Sequence, residues 1–206
     1  MNRRTFLLTT STGVALAAAQ SANAEGQMMQ QMPWEWTDEN GLARFLKKDT
    51  NPLENEFEKY PRCPYCGMMR QMFSHTRQLI VYEDDTVDGT CSIHCSAISL
   101  SINMDRGPKT IYAGDAGSDE KIKPLADTAT MTFVIDSTKP GTMTGSSKWA
   151  YADKAKAEAA ASAGAQLTDF DGALTVAYVD MAKDTINIRK RRAERRLKAG
   201  EMKKPE

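Results

Sequence analysis

The sequence predicts an α+β fold, in which one or two small sheets carry packed helices. Strand-like and helix-like segments alternate along the chain without the glycine-rich loop of a nucleotide-binding domain. Hydrophobic residues make up 41% of the 206 positions and charged residues 26%. These proportions indicate a globular protein with a buried core rather than a disordered chain.

Short apolar runs define the predicted strands. They cover Gln78–Tyr82, Lys109–Ala113 and Thr130–Asp136. After the first run, the pairs Asp84-Asp85 and Asp88-Gly89 predict turns, because Asp and Gly tolerate the backbone angles that turns require. These strands supply the sheet of the predicted domain.

Helical segments are predicted on both sides of these strands. Residues 34–48 carry apolar and aromatic side chains that suit a short amphipathic helix or an aromatic anchor. The alanine-rich segment Tyr151–Ala163 is followed by Gly164, a typical C-cap residue. After a short strand at Gln166–Phe170, Asp171-Gly172 opens the next helix.

Another predicted helix carries two cysteines. Cys91, Cys95, Ile98 and Ile102 recur at the spacing of one helix face. This spacing predicts two thiols one turn apart that point toward the interior. His94 is expected on the flank of the same face.

The N-terminus has the pattern of an export signal. Arg3-Arg4 is followed by the apolar stretch Leu7–Ala19 and by the small residues Ala22-Asn-Ala24. The stretch is too short and too rich in hydroxyl groups to span a bilayer. We therefore expect twin-arginine export of a periplasmic protein that begins near Glu25. No cysteine stands at the expected cleavage position, so a soluble mature protein is expected rather than a lipid-anchored one.

Charge is balanced over the mature chain but is unevenly distributed. Residues 25–206 carry 25 basic and 27 acidic side chains, which gives no overall attraction to nucleic acid. From Arg189 onward, nine basic and three acidic residues form a basic tail. Such a block is usually a solvated helical extension, and its alternative is a docking arm for an acidic partner or anionic lipid. Membrane contact is expected only through this tail.

The stretch Cys63-Pro-Tyr-Cys66-Gly-Met68-Met69 raises three chemical alternatives. The first is a thiol–disulfide oxidoreductase that uses Cys63 and Cys66, because Cys-Pro-Tyr-Cys matches the active-site tetrapeptide of glutaredoxins. That chemistry needs a thiolate at a helix N-terminus after a strand. The segment before Cys63 is not a buried strand, and Gly67 is a poor start for a helix, so the context is unfavourable.

A structural zinc site is the second alternative. The same four cysteines could instead form disulfides that stabilise a binding module. Cys63-x2-Cys66 and Cys91-x3-Cys95 could supply the four sulfurs of a tetrahedral zinc site. In an oxidising periplasm they could instead form two disulfides, although such close-spaced pairs would gain little loop entropy. A purely structural zinc site gives no reason for the adjoining methionines.

Monovalent copper is the third alternative. Cu(I) is soft and is held by thiolate and thioether sulfur at low coordination number. Cys66-Gly67-Met68 offers both kinds of sulfur, and glycine lets the backbone turn so that they converge. Met143, in the turn at residues 140–145, could close the site from elsewhere in the fold.

These residues resemble a known family. Cys63-Pro-Tyr-Cys66-Gly67-Met68 resembles the Cys-Gly-Met signature of the NosL family, the accessory copper proteins of nitrous oxide reductase. Downstream, Phe133–Asp136 matches a strand of that family and Pro140–Thr144 corresponds to its methionine-containing turn. The alanine-rich helix also ends at Gly164 as the family's does. The resemblance covers about residues 60–170.

The resemblance implies a Cu(I) chaperone of the cell envelope rather than an enzyme. Its fold would consist of paired ββαβ units, like those of the organomercurial lyase fold. The expected client is a cuproenzyme, with nitrous oxide reductase as the default. The implied organisation is a signal peptide at 1–24, a Met-rich segment and helix at 25–59, a metal-binding domain at 60–183 and the basic tail at 184–206.

The resemblance also assigns ligands. The family's copper-binding cysteine and methionine fall on Cys66 and Met143, to which we add Cys63 and Met68 as supplementary ligands. Three further residues are expected to surround or extend this site, the cysteines either as ligands or as a disulfide. They are Cys91, His94 and Cys95.

Overall fold

The structure, a computed structural model, describes residues 33–41 and 45–201. The chain divides into two compact units, residues 1–44 and 45–206. The described part of the first unit is helix α1 (Pro33–Asn40) and the residue after it. The expected signal peptide and the methionines of residues 25–32 lie outside the described residues. Among the described helices, none combines the length and apolar character needed to cross a membrane.

The second unit contains two antiparallel sheets. The first sheet has the strand order β1-β3-β2-β4-β5. Its strands are β1 (Lys47–Lys48), β2 (Gln78–Tyr82), β3 (Thr86–Thr90), β4 (Pro108–Gly114) and β5 (Leu125–Asp127). The second sheet has the order β7-β6-β8. Its strands are β6 (Thr132–Asp136), β7 (Ser147–Tyr151) and β8 (Gln166–Thr168).

Helices connect and cover these sheets. They are α2 (Glu56–Lys59), α3 (Ile93–Ile102), α4 (Lys154–Ala160) and α5 (Phe170–Glu201), with a 3-10 turn at Thr128–Thr130. The order β2-β3-α3-β4 is one ββαβ unit, and β6-β7-α4-β8 is a second. The predicted α+β class and the paired units are therefore confirmed.

The core is built on strands whose alternate side chains point to opposite faces. On β2, Leu79 and Val81 pack with Tyr60 and Val87, whereas Ile80 and Tyr82 pack with Ile111 on the other face. Both faces of the first sheet are thus covered, which explains why the strand reads as a continuous apolar run.

Helix α5 contributes to a core cluster between the second sheet and helix α3. Its small residues Ala173 and Ala177 are fully buried against Phe133 of β6 and Ile93 of α3. Small side chains allow the helix to approach the sheet closely. Beyond this contact the helix continues without interruption past residue 184.

The turn predicted at Asp88-Gly89 is wrong, because both residues lie inside β3. Asp88 is buried and accepts hydrogen bonds from the side chains of Tyr65 and Ser99. Gly89 is required for space: a Cβ there would lie 2.6 Å from Tyr60 Cβ and 3.1 Å from Arg70 Cζ. Glycine in this strand therefore marks the close approach of other groups rather than a chain reversal.

Two predicted helices have different boundaries in the structure. Helix α4 begins after Asp153, whose carboxylate accepts hydrogen bonds from the N–H groups of Ala155 and Lys156, so Tyr151 belongs to β7 instead. At the N-terminal end, helix α1 stops at Asn40, and Lys47–Lys48 pair with β3 as a strand. Both helices are therefore shorter than composition alone suggests, the first because a side-chain cap sets its start and the second because its last predicted residues form a strand.

Candidate metal centre

Four cysteines meet at one end of the first ββαβ unit. The sulfur atoms of Cys63, Cys66, Cys91 and Cys95 all lie within 4.8 Å of one another. Cys66 Sγ is 3.4 Å from Cys91 Sγ, and Cys91 Sγ is 3.7 Å from Cys95 Sγ. All four are free thiols. The two sequence-separated pairs therefore form one site, which we call the cysteine cluster.

The first pair lies on a tight loop. The N–H of Cys63 donates to the carbonyl of Met68, and the N–H of Gly67 donates back to the carbonyl of Cys63, both at 2.9 Å. Gly67 has φ of +75°, and a Cβ at this residue would have no atom within 4 Å. Glycine is therefore needed there for its backbone angle rather than for space. This reversal points both sulfurs of the loop toward the cluster.

Arg70 fixes the loop to the first sheet. Its guanidinium is fully buried and donates to the carboxylate of Glu56 at 2.8 Å. It also donates to three backbone carbonyls, those of Tyr60, Gln78 and Thr90. A buried charge with this many partners is held in one position. The loop that carries Cys63 and Cys66 is consequently held in register with β2 and β3.

Tyr65, inside the Cys-x2-Cys loop, provides a second anchor. Its hydroxyl donates to Asp88 Oδ2 of β3 at 2.5 Å, and the hydroxyl of Ser99 from α3 donates to the same oxygen. Burial raises the pKa of Asp88, while these hydrogen bonds lower it. The carboxylate thus connects the loop, the strand and the helix that surround the four sulfurs.

The second pair lies at the junction of β3 and α3. Cys91 follows the last residue of β3 and precedes the helix, which begins at Ile93. The prediction that both thiols lie on one helix face is therefore correct for Cys95 and wrong for Cys91. The carbonyl of Cys91 accepts a hydrogen bond from Thr76 Oγ1 at 2.8 Å, which holds the junction against the segment before β2.

The sulfurs share negative charge unequally. A hydrogen bond from the Cys91 thiol, followed by one from Cys95, lowers the pKa of Cys63. The same interactions with Cys63 raise the pKa of Cys91 and of Cys95. A cation that binds at the cluster must displace the protons that the thiols carry.

Accessibility differs among the four thiols. Cys63, Cys91 and Cys95 are each no more than 1% exposed, whereas Cys66 is half-buried. Met68, Tyr65 and Phe73 pack around the cluster. Met68, predicted as a supplementary ligand, is thus placed next to the sulfurs. The exposed edge of the site lies at Cys66.

Met143 and His94 lie at a neighbouring cavity of about 570 Å³, which α5 also lines. Thr76 connects this region to the cluster: it donates to the Cys91 carbonyl, and its oxygen lies 3.0 Å from the hydroxyl of Thr142. Met143 is 39% exposed with φ of +68°. The turn predicted to close the site is therefore tied to the cluster through one threonine.

His94 faces that cavity from α3. Its Nδ1 is buried without a hydrogen-bond partner among the described residues, and desolvation lowers its pKa. A neutral imidazole nitrogen without a partner is a competent metal donor. His94 is adjacent in sequence to Cys95, but the cysteine cluster and this cavity are distinct surroundings.

The geometry suits a thiophilic ion. Zinc–thiolate bonds of about 2.3 Å in a tetrahedron place the sulfurs about 3.8 Å apart, close to the Cys66–Cys91 and Cys91–Cys95 separations. Cu(I) accepts the same sulfurs at lower coordination. The arrangement does not suit thiol–disulfide exchange, because Cys63 is buried and the Cys-x2-Cys loop turns at Gly67 instead of opening a helix.

Sequence patterns identify the four cysteines but not the residues that hold them. Tyr65 lies inside the Cys-x2-Cys motif, and this position could have identified it as a residue that supports the site. Arg70 and Thr76 carry no local signal, and Asp88 has the local composition of a turn. Each acts through a partner far away in sequence.

Two comparisons with known proteins returned a match. A model of the NosL family matches residues 54–178, which is more than half of the chain. Among solved structures, the crystal structure of the copper chaperone NosL from Shewanella denitrificans is similar with a TM-score of 0.46 and 22% identity, covering 61% of this chain and 95% of that chain. No match was found among curated proteins. From the extent of the family match, this chain belongs to the NosL family.

Proposed function

We propose that this chain is a periplasmic Cu(I) carrier that delivers copper to a cuproenzyme, nitrous oxide reductase being the default client. The observation that carries the proposal is the cluster of four free thiols in a member of the NosL family. A solved structure similar in fold is that of a copper chaperone. Soft sulfur donors in a buried pocket favour a soft monovalent ion.

Transfer of the ion would take place at Cys66. The other three cysteine sulfurs are buried, so among the four thiols only the half-buried Cys66 lets a partner thiolate or thioether reach an ion. Cys66 is therefore the anchoring ligand that a client displaces, and Cys63 is the buried thiolate that keeps the ion until exchange. Cys91 and Cys95 supply further sulfur from the opposite side.

Thioethers would assist from the rim. Met68 packs on the cluster, and the turn that carries Met143 is hydrogen-bonded through Thr76 to Cys91. Thioether sulfur binds Cu(I) without a proton to displace, so its binding does not depend on thiol ionisation. Met143 is the ligand best exposed to an incoming partner.

Intact-protein mass spectrometry of anaerobically purified protein tests this function. We expect Cu(I) to remain bound in competition with a chromogenic chelator. Cys66→Ser should weaken binding by more than the roughly 10- to 100-fold typical of losing an outer partner. Met143→Leu should also weaken Cu(I) binding, and Met104→Leu is its matched control, because Met104 is an exposed methionine outside the cluster. Absence of copper uptake by the fully reduced protein would refute the proposal.

A structural zinc site is the second candidate, since the observed sulfur separations fit a tetrahedral four-thiolate ion. Zinc that resists exchange with Cu(I), together with loss of folding on chelation, would support this candidate instead. Cu(I) that displaces zinc and passes to a chelator would support the carrier.

The cellular location is part of the proposal and rests on the twin-arginine pattern of Arg3-Arg4. Replacing both arginines with lysine should leave unprocessed protein in the cytoplasm. Cell fractionation with detection of the uncleaved chain measures this outcome. Normal export of that variant would contradict the assigned route.

A further inference from the structure

The C-terminal half of α5 forms a solvent-exposed basic helix. Every residue from 185 to 199 is exposed, while the helix continues to Glu201. We call residues 185–201 the basic extension. At about 1.5 Å per residue it is roughly 25 Å long. A helix segment of this length that covers no core is available for a partner.

Charge is segregated between the extension and the domain. Residues 189–201 contain seven basic and two acidic side chains, whereas residues 45–188 contain 15 basic and 20 acidic ones. Within the described part of the chain, no ion pair involves any of those seven basic residues; the ion pairs lie elsewhere. The positive charge of the extension is therefore not neutralised by its own domain.

The extension is also amphipathic. Ile186, Ala193 and Leu197 recur at i, i+7 and i+11 and share one side of the helix. Ile186 is 49% exposed and Leu197 is 69% exposed. Arginines flank this apolar stripe, and five of the seven basic residues are arginine, the side chain that binds phosphate oxygens in a bidentate manner.

We propose that the basic extension lies along the surface of an anionic phospholipid membrane. The apolar stripe would enter the headgroup boundary while the arginines and lysines bind lipid phosphates around it. A membrane surface offers both anionic phosphate and an apolar phase to the same helix. An acidic protein surface would satisfy the charges but leave Ile186 and Leu197 without an apolar partner.

The orientation leaves the metal region accessible. Ile188 and Arg191, which line the cavity shared with Met143, lie on the side of α5 opposite to the apolar stripe at 100° per residue. A helix that rests on the membrane through its stripe therefore turns that cavity away from the lipid. The proposal concerns membrane attachment and does not depend on which metal the cysteines bind.

Vesicle co-sedimentation of the full chain tests the proposal. Vesicles of phosphatidylcholine with phosphatidylglycerol should bind the protein far more strongly than phosphatidylcholine alone at low salt. Replacing Arg189, Arg192 and Arg196, which lie on one flank of the stripe at 100° per residue, with glutamine should weaken partitioning by about 100-fold, since each basic residue near an anionic surface contributes roughly fivefold. The matched control replaces three exposed lysines of the domain, Lys48, Lys121 and Lys154, and should retain binding.

Leu197→Gln separates a membrane from an acidic protein. It should weaken vesicle binding several-fold and leave binding to polyglutamate unchanged, because only lipid offers an apolar phase. Equal binding to neutral vesicles, equal loss in the lysine control, or no effect of Leu197→Gln would overturn the proposal. A salt-dependent dimer without lipid that the arginine variant abolishes would assign the extension to a second copy of the chain and would also overturn it.

Discussion

The cysteine cluster and the Met143 turn present sulfur in opposite ways. Three of the four thiols are buried. The loop that carries Cys63 and Cys66 is held in place by Arg70 and Tyr65. Met143 is exposed and has a left-handed backbone conformation, φ +68°, which a residue with a Cβ adopts at a cost of about 1–2 kcal/mol. Thr76 joins the two regions by hydrogen bonds.

The difference indicates how the proposed carrier would hold and release an ion. Retention requires ligands whose positions are fixed by the fold, because then little order must be gained on binding. Release requires a ligand that a partner can reach and replace. Under the proposed function, the cysteine cluster would satisfy the first requirement, and the Met143 turn together with Cys66 would satisfy the second. The strain at Met143 is consistent with a residue retained for its side chain rather than for its backbone.

Breaking the brace should have the largest effect. Arg70→Met removes one of the two guanidinium groups that bind Glu56, leaving Arg77, and takes the donor from three backbone carbonyls. We expect the free energy of unfolding to fall by about 3–5 kcal/mol, as for removal of one member of a buried ion pair. Urea denaturation of the metal-free, reduced protein measures this change.

Arg62→Met is the control for this prediction. Arg62 lies in the same loop, is exposed, and makes one hydrogen bond to the carbonyl of Gly67. Its loss should cost less than about 1 kcal/mol. Equal destabilisation by the two substitutions would show that Arg70 does not brace the cluster.

Tyr65→Phe should have the next largest effect. It removes the hydroxyl that donates to Asp88 and leaves a buried carboxylate with one fewer donor. We expect a loss of about 1–3 kcal/mol in unfolding free energy and a loss of roughly tenfold or more in metal affinity. Tyr112→Phe serves as the control, because the Tyr112 hydroxyl makes no hydrogen bond within residues 33–41 and 45–201. Unchanged metal affinity in Tyr65→Phe would show that the hydrogen bond from Tyr65 to Asp88 does not influence metal binding.

The same two regions show what the sequence could and could not predict. Apolar periodicity located β2 and the C-terminal part of α3, and close cysteine spacing raised a joint four-sulfur site as one alternative, because these signals are local. Strand β3 escapes prediction because Asp88-Gly89 has the composition of a turn. Only the tertiary partners of Asp88 and the contact of Gly89 with Tyr60 explain a strand there.

The supports of the site could not be predicted for a similar reason. Arg70 binds carbonyls of residues 8 to 20 positions away, and Thr142 reaches Thr76 across 66 positions. Such contacts exist only once both sheets have formed. Sequence patterns therefore identified the candidate ligands, whereas the three-dimensional fold was needed to identify the residues that position them.

A comparison of Met143→Gly with Met143→Ala sharpens the contrast at the strained turn. Both substitutions remove the thioether, but only glycine relieves the left-handed backbone. The glycine variant should be more stable than the alanine variant by about 1 kcal/mol. Thermal or urea unfolding of the reduced, metal-free proteins measures the difference. If Met143 is a ligand, both variants should lose the same Cu(I) affinity in a chelator competition, and unequal losses would mean that backbone geometry rather than sulfur is responsible.

The smallest expected effect concerns His75, which lies beside the bridging residue Thr76. Its ring packs edge-on against Trp149 of β7 at a centroid distance of 5.5 Å. Desolvation, with a smaller contribution from Lys123, lowers the pKa of His75 below its ordinary value of 6.5. The folded protein therefore binds fewer protons at this ring than the unfolded chain does in mildly acidic solution. Stability supplied by the neutral ring is present above about pH 6.5 and is lost as the pH falls below that value.

His75→Gln isolates this contribution between pH 7.5 and 5.5. Complete exclusion of the proton would be worth at most about 1.4 kcal/mol over this interval. His75 is only half-buried, so solvent screening reduces the expected difference to about 0.5 kcal/mol. Asp88, whose pKa is raised by burial, changes stability in the opposite direction with pH but is present in both proteins and cancels in the comparison. A wild-type protein that loses no more stability than His75→Gln on acidification would mean that the folded state accepts the protonated ring, and His75 would then contribute nothing pH-dependent to the junction between the two regions.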